Sequence, residues 1–67
     1  MKLNLSDPSL TITRVSTSNA ESGIEIHVEI VVPQTDKPGQ HIRVALPVAD
    51  LGEALTGGSR VNVRVVR

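Results

Sequence analysis

The chain has 67 residues, no Cys, Phe, Trp or Tyr, and seven basic residues against seven acidic ones. That length is one domain, 1–67, and it buries only about 60% of its unfolded surface, a marginal amount. The missing cysteines exclude disulfides, thiolate metal sites and thiol nucleophiles, and they fit a reducing, cytoplasmic setting. The missing rings leave a core of Val, Ile and Leu and remove the faces that stack on bases or hold cations. The charge balance gives no electrostatic case for nucleic acid or membrane.

At the start of the chain, Leu3 and Leu5 alternate with Lys2 and Asn4, the pattern of a short strand. Met1–Leu5 is too short and too polar for a signal peptide, and no apolar run approaches a membrane span. Ser6-Asp7-Pro8-Ser9 reads as a turn, with Pro8 presetting φ and Asp7 bonding forward to the backbone. Leu10–Thr17 is a strand rich in β-branched residues. Val15 breaks the parity of Leu10 and Ile12: either a bulge near Thr13 or Arg14 returns it to the core side, or the strand ends there. Ser18–Gly23 has no apolar period and reads as a loop before an antiparallel neighbour.

Gly23–Pro47 is the clearest stretch, a β-hairpin. Ile24, Ile26, Val28, Ile30 and Val32 alternate with Glu25, His27 and Glu29 in the first arm, a period of two that marks one buried and one wet face. Pro33 is expected to end this arm by removing a ladder donor, and Pro38-Gly39 suits the central pair of a type II turn. In the second arm Ile42, Val44 and Leu46 face the core. Parity then requires opposed residue numbers with an even sum; the register that opposes Glu29 to Arg43, His41 to Val31 and His27 to Ala45 meets this and pairs opposite charges on the wet face.

Asp50-Leu51-Gly52-Glu53 has capping-box form and opens a short helix. Leu51, Ala54 and Leu55 share its apolar face, and Gly57 is placed to stop it. Arg60–Arg67 alternates again, with Val61, Val63 and Val65 inward and Arg60, Asn62, Arg64 and Val66 outward. The connection from Pro47 to Ser59 allows this last strand to run either parallel or antiparallel to the second arm. The predicted fold is therefore α+β and β-dominated, in the order β-β-β-β-α-β. It has four or five mostly antiparallel strands and one short helix between the last two.

No residue set points to catalysis. His27 lies between Glu25 and Glu29, but the register separates His27 from His41 by about 13 Å, too far to share a metal. Glu25 and Glu29 are separated by a similar distance on an open face, unlike a carboxylate pair that works as acid and base. Thr56-Gly57-Gly58-Ser59-Arg60 follows a helix, where the dipole disfavours phosphate, so it reads as a helix stop and turn. Arg43, Arg60, Arg64 and Arg67, extended by His41, form a candidate basic stripe. Its functional reading is contact with phosphates or an acidic protein; its bland reading is neutralisation of Glu25 and Glu29.

The sequence thus predicts a non-enzymatic protein-interaction module, of the kind found as accessory subunits, adaptors or inhibitors. It needs no cofactor or metal and works through strand edges and the exposed sheet face. The expected contact residues are Arg43, Arg60, Arg64, Arg67, Val66 and Val31. The thin aliphatic core points to a homo-oligomer, a dimer formed through the sheet with the last strand as its edge. The alternatives are a duplex nucleic-acid binder using the arginine stripe and a small enzyme subunit.

Overall fold

A computed structural model describes residues 2–56 and 60–66. The strands are β1 (Lys2–Leu3), β2 (Thr11–Ala20), β3 (Gly23–Gln34), β4 (Lys37–Pro47), β5 (Val61–Asn62) and β6 (Arg64–Val66). A 3-10 turn (Val48–Asp50) and helix α1 (Leu51–Leu55) lie between β4 and β5. The order β-β-β-β-α-β holds, except that the last predicted strand is broken at Val63. All pairings are antiparallel: a four-stranded sheet in the order β2-β3-β4-β6 and a two-stranded sheet of β1 and β5. The last strand therefore runs antiparallel to β4. By bending at Val63 it serves both sheets.

The long hairpin β3–β4 sets the dimensions. Twelve residues of β3 at about 3.3 Å each span the roughly 40 Å long axis. Its register opposes Glu29 to Arg43, Val31 to His41 and His27 to Ala45, the even-sum, charge-pairing register expected from the sequence. Two details differ from the sequence reading. β3 continues through Pro33 to Gln34, and the turn is Thr35-Asp36, closed by Gln34 opposite Lys37. Asp36 takes the left-handed conformation (φ 61), which Asp tolerates better than most residues. Pro38-Gly39 is consequently not the turn. It lies in β4, where two residues face the single Pro33 between the Val32–Gln40 and Gln34–Lys37 pairs. The ladder is irregular where proline offers no donor.

Strand β2 pairs with β3 along its length, with a register shift between Ile12 and Arg14. This bulge puts Val15 opposite Val28 and on the same face as Ile12, which opposes Ile30. Ser18, Asn19 and Ala20 are strand rather than loop, because they pair with Glu25, Ile24 and Gly23. An edge strand with little burial needs no apolar period, so periodicity ended this strand too early.

The core lies over β3 and β4. Ile26, Val28, Ile30, Val44 and Leu46 are buried beneath Leu5, Ala54, Val61 and Val63, with Leu3, Leu10, Val32, Ile42 and Leu51 packed at the margin. The covering layer stops short of β2 and of the start of β3, so Ile12, Val15 and Ile24, on the inner face, are exposed. Val65 opposes Val44 on that face but is also exposed, at the opposite edge.

Helix α1 departs from its expected form. Asp50 makes no side-chain capping bond and is itself helical (φ −91, ψ −5). The 3-10 turn has already begun after Pro47, so Asp50 lies inside the coiled run and not at its start. Ala54 is buried while Leu55 is exposed. At about 100° per residue they point in different directions, and a five-residue helix presents only a narrow face. The helix ends at Thr56, whose N–H donates to the Gly52 carbonyl and whose hydroxyl donates to the Glu53 carbonyl. The expected stop at Gly57, and the Gly58-Ser59 turn, lie outside the described residues. The turn after β1 matches its reading. Leu10 N–H donates to the Asp7 carbonyl, and the Asp7 carboxylate accepts from the Ser9 N–H (2.9 Å) and hydroxyl (2.8 Å).

Candidate protein-interaction surfaces

The outer face of the four-stranded sheet carries the polar residues of the alternation. One row is Arg14–Glu29–Arg43–Val66 and the next is Ser16–His27–Ala45–Arg64. Both glutamates bind arginine. Arg43 donates to Glu29 through Nε (3.0 Å) and Nη2 (2.6 Å), and Arg64 Nη2 donates to Glu25 at 2.9 Å. Ser18 Oγ lies 2.8 Å from His27 Nε2. This serine–histidine contact sits on an open face, and the adjacent carboxylates of Glu25 and Glu29 are held by arginines. A third group to orient the ring as in a hydrolytic triad is missing among the described residues. No cluster able to hold a metal ion occurs among them either.

Of the six expected contact residues, five are described, and four of these share one face. Arg43, Arg64, Val66 and Val31 share the outer face, with Val66 opposite Arg43 and Val31 half-buried between Thr11 and His41. Arg60 lies elsewhere, beside Lys2 and Asp7 in a shallow concavity at the other sheet. Arg67 lies outside the described residues. Arg43 and Arg64 are each paired with a glutamate, so the part of the stripe on the outer face is a ladder of ion pairs.

Sequence reasoning missed the surface at β2. Every residue from Thr11 to Asn19 is exposed. Among the described residues the strand is an edge of the sheet, so one side of its backbone presents N–H and C=O groups with no ladder partner among them. Its inner face is bare as well: Ile12 is 43% and Val15 57% exposed, and near the other end of the strand Ile24, opposite Asn19, is 50% exposed. The strand TITRVSTSNA contains one charged residue, Arg14, no lysine and no proline. Those are the devices that usually protect an edge; only the bulge at Thr13 interrupts this one. The low charge was visible in the sequence, but the edge position was not. Edge order depends on which neighbour the chain finds after β4.

No protein-family model, curated protein or solved structure matches the chain.

Proposed function

We propose that the chain is a non-enzymatic protein-interaction module that binds through a strand edge and the adjoining exposed face. The observation that carries this reading is β2, a ten-residue edge strand exposed on both faces from Thr11 to Asn19, which carries exposed Ile12 and Val15 and has exposed Ile24 opposite Asn19. An incoming strand would satisfy its free backbone groups, and side chains beyond that strand would cover the apolar residues. β6 offers much less, since it has only three residues. The ion-pair ladder on the outer face supplies a polar flank. The same reading places the chain in the cytoplasm, where a core without disulfides is ordinary.

The duplex nucleic-acid alternative has less support. Arg43 and Arg64 already bind glutamates, and Arg60 sits apart from them. Affinity capture from native cells tests the reading, using the wild-type chain and Thr17→Lys, with and without nuclease. A bound protein is expected that resists nuclease and is lost with Thr17→Lys, because a lysine blunts the edge. Recovery of nucleic acid that weakens steeply between 50 and 200 mM salt would favour the alternative.

A further inference from the structure

We infer that the strand received by β2 is β2 of a second copy, paired antiparallel about a two-fold axis through Thr17. This inference rests on the interaction reading above and names its partner. Opposed residues in an antiparallel pair point to the same face, so a two-fold axis normal to the sheet must make one residue oppose itself. Beyond the bulge, β2 is regular from Arg14 to Ala20. An axis at Ser16 would set the end of one strand against the bulge of the other. An axis at Ser18 would set Arg14 against Ser22 in the turn. Only the axis at Thr17 uses the whole regular stretch, opposing Arg14 to Ala20, Val15 to Asn19, Ser16 to Ser18 and Thr17 to itself.

Charge and shape agree with this register. Arg14 has no ion-pair partner among the described residues, because the Glu29 carboxylate opposite it is taken by Arg43. In the pair, Arg14 meets Ala20 of the other copy, and the next residue is Glu21, an exposed turn residue that also lacks an ion pair among the described residues. The contact occurs twice, once at each end. The positions between carry no charge, so nothing repels at the axis, and Thr–Thr and Ser–Ser are favourable cross-strand pairs. On the inner face Val15 lies beside Asn19 of the other copy, whose own neighbour is Ile24. Two exposed apolar side chains thus flank a single residue. The two four-stranded sheets become one continuous sheet with β6 at each outer edge.

The chain has no cysteine, so one introduced thiol reports the register without interference. Thr17→Cys places the two thiols on directly opposed residues about 5 Å apart at Cα, within disulfide range. Val15→Cys places them four residues out of line, about 13 Å apart and out of reach. Mild oxidation is expected to link Thr17→Cys into a covalent dimer and to leave Val15→Cys unlinked. Light scattering coupled to size exclusion should give a dimer mass for the wild type that falls on dilution, as a small interface implies. Arg14→Glu alone and Glu21→Arg alone should each weaken association at least tenfold. An equimolar mixture of the two should restore it, because the mixed pair is complementary at both ends. A single-chain mass at the highest soluble concentration overturns the inference, whereas the interaction reading is judged separately by capture with Thr17→Lys. Cross-linking through Val66→Cys but not Thr17→Cys, or a mixture no tighter than its components, also overturns it.

Discussion

Arg64 on β6 reaches across β4 to Glu25 on β3, with its Nη2 2.9 Å from the carboxylate. The residue it crosses is Ala45, its direct neighbour on β4. Ala45 belongs to the outer, polar face, yet it is only 1% exposed. A methyl group there lets the long arginine stem lie over the sheet, so the stem packs while the charged head stays near water. The pair ties the short β6 to the strand beyond its own neighbour.

The energetic contribution of this pair is expected to be small. Arg64 is 59% exposed at its side chain and Glu25 19%, and pairs with one solvated partner contribute up to about 1 kcal/mol. A double-mutant cycle with Arg64→Ala and Glu25→Gln, read by urea unfolding, should give a coupling no larger than about 1 kcal/mol and smaller in high salt. The Arg43–Glu29 pair should behave likewise. A coupling several times larger would mean that this face is covered in solution, contrary to its description as a solvated ladder.

Gly39 gives a larger effect. A Cβ added there would collide with Cγ1 of Val31 across the hairpin and come within 3.4 Å of the Val32 carbonyl. The requirement for glycine is close approach at the bulge facing Pro33, and it does not depend on a positive φ. Val31 is β-branched and stiff at χ1, so it yields poorly. Gly39→Ala should cost about 1–3 kcal/mol, the usual range for overpacking. Adding Val31→Ala should recover part of that loss, which a chemical-denaturation cycle would reveal. Additive losses would place the strain elsewhere.

The hairpin was legible in the sequence because its two arms alternate over a fully formed core. Ile26, Val28, Val44 and Leu46 each had only one sensible face, which required an even-sum register, and pairing opposite charges selected the one that opposes Glu29 to Arg43. The bulge beside Thr13 was legible as one of two readings, because the parity break at Val15 allowed either a bulge or the end of the strand, and only pairing with β3 decides between them. Ser18–Ala20 were not, because backbone pairing holds them and burial does not. Pro38-Gly39 was misread as the turn because Asp36 accepts a positive φ that composition assigns to glycine first. Capping by Asp50 failed because the chain coils one turn earlier than the motif assumes. Of the candidate surface, the ion-pair ladder followed from the register. The exposed edge at β2 did not, because strand order is a long-range property and the residues of β2 look ordinary one by one.

A last expectation concerns acid. The Asp7 carboxyl is held below its ordinary value, mainly because its carboxylate accepts the Ser9 backbone N–H and secondarily the Ser9 hydroxyl. A slight loss of solvation opposes this, whereas the charge of Arg60 reinforces the lowering. The folded-state value is therefore lower than the unfolded one. The stabilisation is complete above the unfolded value and is lost as pH falls through the folded value. A carboxyl-carbon titration by NMR should place Asp7 below an ordinary aspartate, and Ser9→Ala should move it partway back, since the backbone donor remains. Asp7→Asn keeps an acceptor oxygen for the turn but removes the titration. Its stability should therefore fall less steeply than the wild type's between about pH 4 and the folded value. An Asp7 that titrates like a free aspartate, or an unchanged acid slope in Asp7→Asn, would show that the Asp7–Ser9 turn is not formed in solution.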